Sequence, residues 1–304
     1  MIRIKTGFVA IVLAAACGGG TSEAPLTLAP PPSPTDTPAP AHEPVASGSL
    51  DAAIDGSHRS EENRARDRFR HPKETLEHCG IEPGMTVVEL SPGGGWYTEL
   101  LAPYLRDGGR LVAGVPSAEG SRARYRQRFL DFIATRPDLY ERVVVATFDP
   151  PDAIALGEPG SADMVVTFRN THNWINDGGE DEAYGAAFAV LRPGGVFCVV
   201  QHRAPDGEDV EPRTRAESGY VAQSYVVEVA GRAGFELEAA SEVNANPNDT
   251  HDHPEGVWTL PPALRLGDQD RDRYVAIGES DRMTLRFRKP EAAAPAEPAA
   301  PAEP

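Results

Sequence analysis

The stretch from Thr86 to Leu101 constrains this chain most. An apolar run (Val87, Val88, Leu90) closes on the turn Ser91-Pro92-Gly93-Gly94-Gly95, with the acid Glu89 just before it. A helical pattern follows at once, with Trp96, Leu100 and Tyr104 on one face. Glycines let backbone approach a ligand closely, and a helix start presents free N–H groups. A strand, a glycine turn and a helix in this order build a nucleotide pocket.

Two ligand classes compete for such a turn. Dinucleotide sites use G-x-G-x-x-G with an acid ending the second strand. Counted from Gly93, the chain offers Gly93, Gly95 and then Thr98, and the second strand pattern, Arg110–Val115, ends in Val115-Pro116 without an acid. S-adenosylmethionine (SAM) sites read acid-x-G-x-G-x-G. Here this becomes Glu89-Leu90-Ser91-Pro92-Gly93-Gly94-Gly95, with Ser91 at the first glycine position.

Downstream blocks agree with the second class. Ser161–Phe168 reads as a buried strand entering a polar loop, Arg169-Asn170-Thr171-His172-Asn173. A helix with Tyr184, Ala187, Phe188 and Leu191 in register then stops at Leu191-Arg192-Pro193-Gly194-Gly195, ahead of the strand Val196–Gln201. From about Ser60 to Pro290 the chain resembles a bacterial family of predicted SAM-dependent methyltransferases. The resemblance rests on Gly84–Pro103, on Asn170-Thr171-His172-Asn173, on Arg192–Gly195 with His202-Arg203-Ala204, and on Leu285–Pro290. It implies a class I methyltransferase fold, SAM as cofactor and an acceptor of small-molecule, lipid or protein type.

The formal net charge of −17 argues against a nucleic-acid partner, because phosphate backbones need clustered Lys and Arg. The basic run Arg64–Arg70 is interrupted by Asp67 and reads as a solvated helix face. The first residues read as a signal peptide: Arg3 and Lys5, an apolar Phe8–Ala16, and small residues before Cys17. The expectation is a lipoprotein cleaved after residue 16, anchored to a membrane of the cell envelope through a lipidated Cys17. Residues 17–47 read as a Pro/Ala-rich disordered linker, 48–290 as the methyltransferase-like domain, and 291–304 as a disordered Ala/Pro/Glu tail. Of the remaining cysteines, Cys79 and Cys198, a disulfide is conceivable but geometrically doubtful, and both are read as small apolar residues. Thr250-His251-Asp252-His253-Pro254 lacks a third ligand at metal-site spacing, so no metal is expected.

Strand patterns alternate with helix patterns, which predicts an α/β, Rossmann-like sheet of seven mostly parallel strands, helices on both faces, and an antiparallel last strand. Expected helices include Ser60–His78, broken or kinked near Pro72, and Gly120–Ile133, with Tyr125, Phe129 and Phe132 buried and Arg122 on the wet side. Ligands of such sheets bind beyond the strand C-termini. That gathers Glu89, Ser91, Pro92, Gly93, Gly94, Gly95, Asp149 and Asn170 as cofactor-binding residues. Glu89 either holds a water or the cofactor amino group or caps the turn. Asp149 either contacts adenine or is a turn residue before Pro150-Pro151, and Glu119 is the nearest substitute for the missing ribose acid. His172 and His202 are the catalytic candidates, each set against a structural role; either could accept a proton as a methyl group transfers. Two other readings remain: a non-catalytic ligand-binding protein on the same fold, and an NAD(P)-dependent oxidoreductase.

Overall fold

A computed structural model describes residues 49–205, 207, 211–212 and 216–291. The expected signal peptide, Cys17, the linker 17–47 and tail residues 292–304 lie outside the described residues.

Apolar runs that bury both faces make parallel strands. Among the described residues nine strands form: β1 Thr86–Leu90, β2 Arg110–Val115, β3 Val144–Asp149, β4 Ala153–Ala155, β5 Ala162–Phe168, β6 Leu191–Ala204, β7 Val221–Ala222, β8 Glu236–Ser241 and β9 Arg282–Arg288. Their order is β4-β3-β2-β1-β5-β6-β9-β8, with β7 beside β6. The first five expected strands are parallel, and β9 runs antiparallel to both β6 and β8. The short β4 and β7 add to the seven expected strands; β4 is a return after the turn at Asp149.

Successive side chains of a strand face opposite ways, so the sheet has two cores. Val88, Leu90, Val165 and Phe197 pack one face against Tyr184, Ala187 and Val226. Val87, Met164, Val166 and Cys198 pack the other against Leu76, Leu100 and Leu101. Each such buried apolar side chain contributes about 1.5–3 kcal/mol.

The helical segment Ser60–His78 breaks next to Pro72 and once more after Arg64, giving Glu61–Arg64, Asp67–Arg70 and Pro72–Cys79. The chain breaks at His71, which takes φ 39 before Pro72 starts a new helix. The break folds this segment back onto the sheet. The buried Arg59 guanidinium fixes it there, donating to Glu99 at 3.0 Å and to Asp67 at 2.7 and 2.8 Å. The helix over the β2–β3 edge is Ala123–Ala134. Its Phe129 is buried as expected, but Tyr125 is 43% exposed. Tyr125 lies in the first helical turn, where the helix overhangs a cavity mouth.

Cys79 and Cys198 are joined in a disulfide, with Cα atoms 5.6 Å apart. This corrects their reading as separate apolar residues. Cys79 ends the helix that packs on the second core, and Cys198 points from β6 into that same core. Sequence separation of 119 residues hides a proximity that the packing creates.

Closing so long a loop restricts the unfolded chain, which is worth roughly 4–5 kcal/mol in the chain-entropy account. Denaturant unfolding of the reduced protein should therefore show a stability lower by about that amount. Equal stability with and without reductant, or two free thiols in the unreduced protein, would contradict the bond.

Candidate functional site

The site is built where three parallel strands end together. Leu90 is in register with Gly114 of β2 and with Thr167 of β5, so the segments after β1, β2 and β5 emerge side by side. Ser91 takes φ 53, in the left-handed region that the SAM pattern gives to glycine. A serine there costs on the order of 1 kcal/mol. Two hydrogen bonds hold it: its N–H donates to the Gly114 carbonyl at 2.9 Å, and its carbonyl accepts from Asn170 Nδ2 at 3.2 Å. The same Asn170 amide lies 3.2 Å from the Leu90 carbonyl. Asn170 thus clamps the turn as well as lining the site.

The glycines differ in what they do. A Cβ on Gly93 or Gly94 would meet nothing within 4 Å. On Gly95 it would lie 2.2 Å from Phe132. Gly93 and Gly94 therefore leave open space at the turn, whereas Gly95 makes room for a packed ring. Gly95 and Glu89 line neither of the cavities described below. Glu89 is 1% exposed, accepts a hydrogen bond from Thr98 Oγ1 at 2.6 Å, and has its pKa raised to about 7 by burial. Thr98, the residue in place of a third dinucleotide glycine, is thereby tied to the acid at the end of β1.

A cavity of about 470 Å³ opens on one side of the turn. Val115, Tyr125, Phe129, Phe148 and Trp174 give it an apolar, aromatic lining. Asp149 stands at its edge, buried, accepting from Ser117 N–H at 3.1 Å and paired with Arg122 Nε at 2.6 Å. Arg122, expected on the wet side, turns inward to this pair and to Asp177 at 2.6 Å. Glu119 does not line the cavity.

A second cavity of about 480 Å³ opens on the other side. Both share Ser91, Pro92, Gly93, Asn170 and Asn173. His172 and His202 meet in the second, with ring centroids 5.5 Å apart. The expected loop around His172 is the helix Thr171–Asp177, whose first turn places the ring. Gln201 Nε2 donates to the Gly219 carbonyl at 2.9 Å, and His172 Nδ1 lies 3.2 Å from that Nε2 and 3.4 Å from Gln201 Oε1, so either tautomer of the ring finds a partner in the amide. Burial lowers the His172 pKa to about 4, with a smaller push from Arg169. His202 bonds Ser280 Oγ at 2.5 Å, and burial, His172 and Arg169 hold its pKa well below the usual histidine value. Both rings are neutral at pH 7.

Residues not singled out for the site from sequence also face this cavity: Arg66, Arg70, Arg169, Trp258 and Arg265. They come from three distant segments, so no local spacing joins them. The segment 244–281 carries Trp258 over the cavity. Its His-Asp-His stretch is an anchor: His253 Nε2 and Tyr220 OH both bond Asp249, at 2.8 and 2.9 Å, and Asp249 accepts from Asp281 N–H at 2.8 Å. His251 stands 3.6 Å from Asp281. Among the described residues no group of three or more His, Cys, Asp and Glu is placed to hold a metal.

No family model matches this sequence, and no curated protein matches it. Solved structures do match. The [4+2]-cyclase SpnF is 18% identical over 74% of this chain and 81% of its own, with TM-score 0.52. A protein assigned as a sarcosine dimethylglycine methyltransferase from Galdieria sulphuraria is 13% identical over 75% of this chain and 85% of its own, with TM-score 0.50. A SAM-dependent methyltransferase from Aquifex aeolicus is 12% identical over 74% of this chain and 93% of its own, with TM-score 0.48. The first two likenesses, at these identities, show the fold alone, a Rossmann-like sheet of the class I methyltransferase kind.

Glu89 makes the site pH-dependent. Its carboxyl prefers the neutral form in the fold, so its contribution is intact below the ordinary pKa of 4.5 and is lost as pH rises through about 7. Glu89→Gln stays neutral and can still accept from Thr98. Its stability relative to the parent should rise by about 3 kcal/mol between pH 4.5 and 8. Urea unfolding of both proteins at these two pH values reads the difference. A constant difference would mean an ordinary, ionised carboxylate.

Proposed function

We propose that this protein binds SAM across the Ser91–Gly94 turn and catalyses methyl transfer to an acceptor held in the second cavity. One observation carries the reading. Two cavities meet at a turn whose glycine positions open onto empty space, one apolar and aromatic, the other polar with two histidines. When bound, SAM supplies an electrophilic methyl group on a sulfonium sulfur.

The residues present fit it. Tyr125, Phe129 and Trp174 offer flat apolar surface for a nucleobase, and Asp149 offers a buried carboxylate at its edge. Gly93 and Gly94 allow close backbone approach where the two cavities join. A dinucleotide fits less well: Thr98 fills the third glycine position and bonds Glu89, and β2 ends in Val115-Pro116.

Methyl transfer is an in-line displacement governed by positioning. His172 and His202 would face the acceptor. His172, with Nδ1 against the Gln201 amide, would orient the acceptor through a hydrogen bond or take its proton as the methyl group transfers. Trp258 covers the same cavity and limits water there.

The envelope location, with Cys17 as a lipidated anchor, is part of the same proposal. The Cys79–Cys198 disulfide supports it, because such bonds persist in oxidising compartments. Mass spectrometry of the mature protein from the membrane fraction should find residues 1–16 absent and acyl chains on Cys17. A mature chain beginning elsewhere, or uncleaved, contradicts the anchor.

The cofactor site has its own test. Calorimetry should show saturable binding of SAM and of its demethylated product S-adenosylhomocysteine (SAH), and none of NAD. Gly94→Ala adds one methyl group to the open space without a positive φ to strain it, and should weaken SAH at least tenfold, about 1.4 kcal/mol, with the melting temperature unchanged. Unchanged SAH affinity in that folded variant would remove the turn from the site.

A further inference from the structure

The second cavity carries an unbalanced charge. Arg66, Arg70 and Arg282 all bond Glu279, at 2.7, 3.2 and 3.2 Å, and Arg169 stands 4.0 Å from it. Four guanidiniums share one carboxylate. Neighbouring acids are engaged elsewhere: Asp67 and Glu99 with Arg59, and Asp281 with Arg203. Arg265, stacked 4.4 Å over Trp258, adds a further cation at the cavity wall.

Arg70 is the sharpest sign. It is 1% exposed, lines the cavity, and lies 4.6 Å over the Trp96 ring. Only its Nε is hydrogen-bonded; Nη1 and Nη2, and Nη2 of Arg66, are buried without a hydrogen-bond partner among the described residues. Buried charged donors without acceptors cost several kcal/mol, and proteins seldom keep them idle. Arg169, in the left-handed region at φ 65, is held toward the same cluster, and burial lowers its pKa to about 10.

Resting on the proposed methyl transfer, we infer that the acceptor carries a multiply charged oxyanion, a phosphomonoester or a dicarboxylate, which the Arg66–Arg70–Arg169 cluster holds in the second cavity. Guanidinium forks match planar and tetrahedral oxyanions with paired hydrogen bonds. Charge balance favours the acceptor over the cofactor's own carboxylate. SAM carries a net positive charge, so the cluster repels it as a whole, and a bound dianion would relieve that repulsion. The overall charge of −17 does not bear on a pocket lined this way.

The test is calorimetry of the intact protein with inorganic phosphate and, separately, succinate, against chloride at equal ionic strength. At least one should bind saturably, and which one binds identifies the oxyanion. Phosphate or succinate and SAH should bind together, and the anion should tighten SAM more than SAH, since only SAM keeps the sulfonium charge. Arg66→Gln, on a partly exposed side chain, should weaken the anion tenfold or more and SAH less than threefold. Arg265→Gln at the cavity wall gives a second variant should Arg66→Gln fail to fold. Competition between the anion and SAH, or equal loss of both in the variant, would assign the cluster to the cofactor carboxylate and overturn the inference. No binding of either anion would overturn it too. Anion binding without SAH binding would leave this site standing and remove the cofactor reading instead.

Discussion

The site depends on one strained residue held from two sides. Ser91 occupies left-handed backbone because its N–H is bound to the Gly114 carbonyl and its carbonyl to the Asn170 amide. Gly114 lies in β2, and Asn170 follows the end of β5, the two strands that flank β1. The parallel register of β2, β1 and β5 therefore sets where the turn begins. From there Gly93 and Gly94 pass between two cavities, and Gly95 lets the turn pack onto Phe132. Gly114 shares in this, since a Cβ there would come within 3.0 Å of Leu156 and Phe148. The sheet, the turn and both cavities are one mechanical unit.

Electrostatics divides that unit. The first cavity is aromatic, and its acid, Asp149, is neutralised by Arg122. The second concentrates guanidiniums around Glu279 and keeps two histidines neutral by burial. Arg169 and Arg282 lower the His202 pKa further, so an anion there would move both rings toward protonation. In the proposed reaction, anion binding there and the protonation of the histidines would be coupled through the same charges.

Features carried by contiguous residues were readable in the sequence. Val87–Gly95 gave the strand and turn, and Arg192–Gly195 the helix end before β6. What escaped was assembled from distant segments. Pro72 announced the break before the third helix, but not that Arg66 and Arg70, read as a solvated face, line the cavity. The arginines at 66, 70, 169, 265 and 282 share no spacing. Cys79 and Cys198 meet because a helix packs on β6, which neither neighbourhood reveals. The stretch His251-Asp252-His253 showed no metal spacing, but its anchoring of the segment that carries Trp258, through Asp249 and beside Asp281, was not legible. Ser91 was legible as a departure from the glycine pattern, but its two supporting bonds were not.

A crystal structure of the protein with SAH tests the central claim most directly. The account predicts the adenine among Tyr125, Phe129 and Trp174, and the sulfur at the Ser91–Gly94 turn, facing the cavity of His172. Density for SAH elsewhere, or a nucleoside lying in the arginine-lined cavity, would contradict it.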